Sequence, residues 1–181
     1  MKHYHFKENF FSASKSAIEV FNEQEEAVFL LRLFYTSNAQ ETFALFGHQK
    51  HNYEITNGQD KYRVIQEKTI SGMVKTPFKT VWRVEKNDNE IGMFRTKFGM
   101  KPTMYFEGLK GDILKFQSGF FSRSVKVTEG NTEIMQTKSE RFKIASQHDI
   151  TIASESYHPA MLILLFQAFY EYQESQRKQA D

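Results

Sequence analysis

Apolar and polar residues alternate in short runs along most of the chain, and clusters of turn residues separate the runs. One run covers residues 80–85, turns at Asn87-Asp88-Asn89 and returns over residues 91–97. Alternation with a period of two buries one side of a strand and leaves the other side in water, as in antiparallel sheets. About a dozen such runs, with turns roughly every 8–12 residues, predict a protein built mainly from antiparallel strands.

The individual runs give the positions of the predicted strands and turns. Asn57-Gly58 has the preferred sequence of a two-residue hairpin turn, because both positions of that turn must tolerate positive φ. Residues 41–46 fit either a short strand or one helical turn. The predicted strands cover residues 3–6, 17–21, 27–35, 53–56, 61–67, 80–85, 91–97, 103–107, 112–117, 120–128, 133–138, 141–145 and 150–153.

One stretch near the carboxyl end has a helical pattern. Ser156 is the predicted N-cap, and Pro159 fits the first turn, where a missing N–H costs nothing. Residues 160–166 are apolar on every side, and such a helix must be enclosed by lipid or by protein. At about 1.5 Å per residue, residues 160–170 cover only about half of a roughly 30 Å hydrocarbon core. We therefore expect the strands of the same chain to enclose it.

The number of strands indicates how they enclose the helix. An open sheet of so many strands would leave exposed edges, and closure into a barrel removes them. The interior of a barrel that large is too wide for side chains alone to fill. We therefore predict a mainly β (α+β) fold, a closed antiparallel barrel of roughly twelve strands around a carboxyl-terminal hydrophobic helix. Residues 1–181 form the single predicted domain, with residues 172–181 as a polar tail.

Composition excludes several classes of protein. The chain has 181 residues, of which 40% are apolar and 25% charged, as in soluble globular proteins. Its 24 Lys and Arg against 22 Asp and Glu give a net charge of +2, too balanced to predict nucleic-acid binding. The absence of cysteine excludes disulfides, thiolate metal sites and S-palmitoylation. The amino end has no signal-peptide pattern and no run spans a membrane, so we expect a cytoplasmic protein, free or peripheral at the membrane.

The arrangement of these segments resembles that of a known superfamily. The segments concerned are the hairpin 18–22 and 27–31, the strand 80–84 with the following turn 87–92, and the helix 159–172. Together they resemble the tubby carboxyl-terminal-like superfamily, and within it the small LURP-one-related proteins of bacteria and plants. The resemblance implies a barrel around a central helix and no known catalysis. Relatives include the tubby proteins, which bind membrane phosphoinositides, and the phospholipid scramblases.

The chain also departs from these relatives. Unlike scramblases, it has no cysteine cluster for palmitoylation and no terminal transmembrane helix. No residues match the tubby lipid-binding motif, so the resemblance assigns no lipid-binding residue.

Motifs for catalysis and metal binding are weak or missing. His48 and His51 have the spacing of metal ligands on one helical turn, but zinc needs three or four ligands and no clear third one is near. Gly108-Leu109-Lys110-Gly111 has the spacing of an RNA-binding KH loop, yet it lies between strands and fits a hairpin turn better. The chain has no phosphate-binding glycine loop, nucleophile elbow or zincin motif. We therefore predict no enzyme, with no catalytic residue, cofactor or metal.

Basic residues are concentrated in the middle of the chain, several of them near the aromatic residues Phe98 and Tyr105. On one face they would attract anionic headgroups, at about 1 kcal/mol per residue near the surface. The alternative is that they are solvent-facing positions distributed around the barrel. The predicted lipid-binding residues are Arg95, Lys97, Lys101, Lys110, Lys115 and Arg123.

The sequence therefore predicts a non-enzymatic binding module. Its partner is an anionic phospholipid headgroup or a protein, bound on the outer barrel face, without nucleic acid and without a transmembrane segment. The alternative is a small-ligand carrier or an enzyme, which a pocket at the barrel mouth with convergent polar groups and perturbed carboxylates would favour. A structural or stress-related interaction protein is not distinguished from the first hypothesis, and the oligomeric state stays open.

Overall fold

The computed structural model describes residues 1–8, 15–37, 52–67, 80–97, 102–119, 122–141 and 146–180. Within these residues, twelve antiparallel strands form a closed barrel. Each strand pairs with its neighbours in chain order, and β1 closes the barrel between β2 and β12. The strands are β1 Lys2–Lys7, β2 Ile18–Asn22, β3 Ala27–Leu33, β4 Tyr53–Thr56, β5 Lys61–Gln66, β6 Val81–Lys86, β7 Asn89–Lys97, β8 Thr103–Gly108, β9 Ile113–Ser118, β10 Ser124–Glu129, β11 Thr132–Arg141 and β12 Ser146–Ile152. The predicted barrel is confirmed.

Some predicted boundaries differ from those in the structure. In the predicted strand 141–145, Arg141 is the last residue of β11, and residues 142–145 lie outside the described residues. Strand β12 begins at Ser146, earlier than predicted. Residues 41–46 also lie outside the described residues.

The connection at Asn57-Gly58, predicted as a two-residue turn, is longer in the structure, and a two-residue turn is found between β6 and β7. Thr56 pairs with Lys61, so four residues connect β4 and β5. The side-chain Oδ1 of Asn57 accepts hydrogen bonds from the backbone amides of Gln59 and Asp60, at 3.0 and 2.8 Å. These bonds favour the wider loop. Positive φ at both turn positions occurs instead at Asn87 (50°) and Asp88 (66°), which join β6 to β7.

The two ends of the barrel differ in their connections. At one end, which we call the turn end, the connections are residues 23–26, 57–60, 87–88, 109–112 and 130–131. At the other end, which we call the loop end, strands β1, β3 and β5 end, and the chain between each of them and the next strand includes residues outside the described ones. Loops at one end of a rigid barrel are the usual position for binding groups.

The helix α1 (Pro159–Ala180) enters the barrel from the turn end and runs towards the loop end. Every residue from Ala160 to Tyr170 is buried, so the enclosure predicted from the sequence is confirmed. Ser156 is not the N-cap. His158 takes that position, because its Nδ1 accepts the Ala160 N–H at 3.2 Å and its carbonyl accepts the Met161 N–H at 3.0 Å.

The carboxyl-terminal part of α1 also differs from the prediction of a polar tail over residues 172–181. The helix continues through Ala180, which its Glu, Gln, Arg and Lys residues favour. Gln173 is buried and donates a hydrogen bond to Ser118 Oγ, at 2.6 Å, at the end of β9. The ring of Tyr172 meets Trp82 edge-on with 5.6 Å between ring centres. This part of the helix therefore packs against the loop end of the barrel.

A buried polar cluster ties α1 to the barrel near the loop end. His148 of β12 is fully buried, with Nδ1 2.8 Å from Ser139 Oγ and Nε2 3.5 Å from Glu8 Oε1. Gln167 donates through Nε2 to Glu8 Oε1 at 3.1 Å and to Glu171 Oε1 at 3.4 Å. Glu8 thus connects the end of β1 to both β12 and α1.

The surroundings of Glu8 favour its ionised form. Burial raises the pKa of Glu8, but hydrogen bonding and charge attraction from His148, with hydrogen bonds from Glu171 and Gln167, outweigh it and lower the pKa from 4.5 to about 2. Because the pKa of Glu8 is lower in the folded protein, ionised Glu8 stabilises the fold at pH values above its ordinary pKa of 4.5. This stabilisation is lost as the pH falls towards 2.

The enclosure of α1 predicts that Leu164→Asp prevents folding. Leu164 is fully buried, and an unpaired buried charge costs several kcal/mol out of a typical stability of about 5–15 kcal/mol. Soluble yield and circular dichroism measure the effect. Leu30→Asp, at an exposed position of β3, is the control and should fold. A normally folded Leu164→Asp protein would show that α1 is not enclosed.

The buried cluster predicts a pH-dependent role for Glu8. Glu8→Gln should lower the free energy of unfolding by about 3 kcal/mol at neutral pH, from the size of the pKa change. The difference from the wild type should be full above pH 4.5 and should shrink as the pH falls towards 2. Denaturant unfolding across this pH range measures it, with the exposed Glu19→Gln as control. A difference that does not change with pH would contradict the ionic role.

Candidate binding face on strands β7 to β9

The outward side chains of β7, β8 and β9 form three rows that the strand register sets. Each row contains one residue from each strand, and the β8 residue lies directly opposite its partners on β7 and β9. Hereafter these nine residues are called the β7–β9 face. The rows are Met93, Glu107 and Ile113; then Arg95, Tyr105 and Lys115; then Lys97, Thr103 and Gln117.

The centre of the face combines an aromatic ring with basic side chains. Lys97 Nζ lies 5.3 Å from the centre of the Tyr105 ring, and Lys115 lies directly opposite Tyr105 on β9. Arg95 forms an ion pair with Glu107. Within the residues that the structure describes, neither Lys97 nor Lys115 pairs with a carboxylate. Two cations without an acidic partner therefore flank one aromatic ring.

Apolar side chains are exposed where the face approaches the turn end. Ile113 is 52% exposed, Met93 36%, and Leu109 in the adjoining turn 69%. A side chain at Gly108 would meet Asp112 Oδ1 at 2.1 Å, and Gly111 has a φ of +89°. The positive φ of Gly111 is typical of a hairpin turn, and the turn interpretation of this segment is confirmed.

The structure brings only some of the predicted lipid-binding residues together. Arg95, Lys97 and Lys115 lie side by side on the face. Lys110 lies in the β8–β9 turn at the turn end, and Arg123 precedes β10 at the loop end. Lys101 lies outside the described residues.

Basic residues on the strands around the face have acidic partners. Within the described chain, every lysine and arginine of β5, β6 and β10 forms an ion pair. Since most exposed pairs add little stability, their main effect here is to neutralise positive charge. The pairs are Lys61–Asp88, Arg63–Glu54, Arg83–Glu85, Lys86–Asp60 and Lys126–Glu133.

One arrangement in the interior has the residue types of a catalytic triad. Ser139, His148 and Glu8 follow one another as hydroxyl, imidazole and carboxylate. Ser139 is only 3% exposed, and the His148 ring is packed against Phe6 and Phe166 with 4.8 and 5.2 Å between ring centres. The hydroxyl is therefore part of the core and not available to a substrate. The sequence did not reveal this cluster, because its members lie on distant segments.

The sequence also raised a metal site at His48 and His51 and a ligand pocket at the barrel mouth. His48 and His51 lie outside the described residues, and no group of three or more potential metal ligands is found among the described ones. A cleft of about 390 Å³ lies beside the end of β3, lined by Lys15, Arg32 and residues 33–37. Its described lining contains polar groups but no carboxylate, and the perturbed Glu8 belongs to the buried cluster instead.

Comparison with known proteins identifies the family. Among the described residues, no helix is both long and apolar enough to cross a membrane. A search of curated proteins and a search of solved structures each gave no match. The family model of the Tubby C-terminal like domain matches residues 4–172, which extend from β1 into α1. Barrels of this family are binding modules and are generally not enzymes. The chain therefore belongs to the tubby C-terminal-like family.

Proposed function

We propose that the protein is a non-enzymatic binding module that engages anionic phospholipid headgroups through the β7–β9 face. The observation that carries this proposal is the pair Lys97 and Lys115, which flank Tyr105 without an acidic partner in the described structure. A basic residue near an anionic membrane surface contributes about 1 kcal/mol. Several such contributions, none large alone, give reversible binding to a charged surface.

The apolar side chains of the same region support contact with a membrane surface. Leu109 and Ile113 are more than half exposed, and Lys110 lies between them in sequence. Apolar side chains beside basic ones are the usual combination at a membrane interface, where each type meets a different layer. Tyr105 has the same dual character in one side chain, because its ring is apolar and its hydroxyl is polar.

The proposal places the protein at the cytoplasmic surface of a membrane, where anionic lipids are concentrated, without a spanning segment. It includes no nucleic-acid partner, since the net charge is only +2. Membership of the LURP-one-related group stays a prediction.

The second candidate is a protein partner with an acidic and partly apolar surface. The exposure of Met93, Ile113 and Leu109 favours it, because exposed apolar groups near charged ones also mark protein interfaces. The same face would be used, so a vesicle experiment separates the two partners.

We expect the protein to co-sediment with vesicles of phosphatidylcholine and phosphatidylserine, but not with phosphatidylcholine alone. Replacing both Lys97 and Lys115 by Gln should lower the partition coefficient roughly thirtyfold, from about 1 kcal/mol per residue. Raising the ionic strength should weaken binding in the same way, because salt screens exposed charges.

The matched control replaces Lys2 and Lys138 by Gln, which changes the net charge equally at exposed positions on β1 and β11. This variant should keep nearly the wild-type binding. Equal loss in both double variants would mean that net charge and not the face is responsible. Equal binding to neutral vesicles would reject the proposal, and no vesicle binding would leave the protein partner as the candidate.

A further inference from the structure

The residue that caps the enclosed helix α1 is a histidine, which titrates near neutral pH. The preferred N-cap residues are Ser, Thr, Asp and Asn, whose side chains accept a hydrogen bond at every pH in the neutral range. Here Nδ1 of His158 accepts the N–H of Ala160 at 3.2 Å. Pro159 has no N–H, so Ala160 carries the first backbone donor of the helix. The cap therefore depends on the protonation state of one imidazole.

The capping bond fixes the position of the ring proton. A backbone N–H is a donor only, so Nδ1 of His158 must be unprotonated to accept it. The proton of the neutral ring then lies on Nε2, which is 3.9 Å from Asp60 Oδ2. In the charged ring both nitrogens carry protons, and neither accepts a hydrogen bond. The cap is consequently made by the neutral ring alone.

The ring of His158 is held in place by the barrel wall and still reaches water. Tyr62 of β5 stacks on it with 5.3 Å between ring centres, and Phe29 of β3 meets it edge-on at 6.0 Å. Both partner rings are buried. The side chain of His158 keeps 33% of its surface exposed, so it exchanges protons with the solvent.

The charges around His158 come from three elements of the turn end. Asp60, between β4 and β5, favours a charged ring, whereas Lys86 of β6 and Lys2 of β1 oppose it. Tyr62 is uncharged near neutral pH, because burial raises its pKa above 10. Burial has the largest effect on His158, and with the two lysines it outweighs Asp60 and lowers the pKa of His158 from 6.5.

The lowered pKa gives the sign of the pH dependence. The folded protein binds a proton at His158 less readily than the unfolded chain does, so stability from this residue is complete above pH 6.5. It is lost as the pH falls through the lowered pKa. Protonation also places a positive charge at the helix end that favours negative charge. The lost bond and the added charge act on the same turn of α1.

We propose that His158 is a pH-sensitive cap, which holds the first turn of α1 at neutral pH and releases it in mildly acidic solution. On acidification Nδ1 gains one proton, and the N–H of Ala160 loses its acceptor. The preceding Tyr157 donates a hydrogen bond to Glu129, so the chain before the helix has its own attachment to β10. The device does not use the β7–β9 face, so either proposal can fail without the other.

Two measurements on ¹⁵N-labelled full-length protein, made in steps from pH 7.5 to pH 4.5, test this proposal. The ring nitrogen shifts of His158 report where the proton lies, and should show it on Nε2 at neutral pH. Hydrogen exchange of the Ala160 amide, corrected for the intrinsic rate at each pH, reports the cap. Its protection should fall about fivefold in acid, the typical effect of losing an N-cap. Both changes should share one midpoint below pH 6.5.

Two variants and one control separate the cap from other acid effects. His158→Asn keeps a capping side chain that does not titrate, so the protection of Ala160 should no longer depend on pH. His158→Ala should show low protection at both ends of the pH range. His5→Asn is the control, because His5 of β1 lies 3.3 Å from Glu25 and caps no helix. This control should keep the wild-type pH dependence, and His158→Asn keeps the test valid if His158→Ala does not fold.

Several results would overturn the proposal. One is a neutral His158 ring that carries its proton on Nδ1, and another is protection of Ala160 that does not change with pH in the wild type. The same pH dependence in His158→Asn as in the wild type would also overturn it. Loss of the pH dependence in His5→Asn would do so as well, because the effect would then not come from the cap.

Discussion

The enclosure of α1 by the barrel is the constraint on which the rest of the structure depends. A closed sheet of this size leaves an interior that its own side chains do not fill, and α1 fills it with Leu162, Leu165 and Phe166 among others. Each large side chain buried there contributes about 1.5–3 kcal/mol. A helix also pairs its own backbone groups, so it enters an apolar interior without unpaired N–H and C=O groups along its length. Barrel and helix thus depend on each other.

This constraint determines where binding groups are found. The apolar residues of α1 from Ala160 to Tyr170 are buried in the core, so they are not exposed to a membrane. Contacts with partners must come from the outer strand faces and from the rims. The β7–β9 face is at such a position, with Lys97 beside the Tyr105 ring on fixed strands. The buried cluster around Glu8 is different, because its polar groups serve the attachment of α1 to β1 and β12.

The sequence predicted the parts of the structure that depend on local pattern. Alternation gave the strands, and the apolar run gave the helix, because burial follows directly from those patterns. His158 as N-cap was missed because the choice between it and Ser156 depends on where the chain turns into the barrel. The Glu8–Gln167 contact joins residues 159 positions apart, and no local pattern reports it. On the β7–β9 face, the sequence predicted which basic residues take part. It did not predict that Arg95 pairs with Glu107, because this pair depends on the register between β7 and β8.

Hydrogen exchange of the α1 amides, with and without phosphatidylserine vesicles, tests the central claim most directly. If the barrel encloses α1, amides of residues 162–169 exchange only through global unfolding, and vesicles leave their rates unchanged. In the same samples, membrane contact through the outer face should slow exchange in β7 to β9. Rapid exchange within α1, or a change there when vesicles are added, would contradict the enclosure of the helix and the assignment of binding to the outer face.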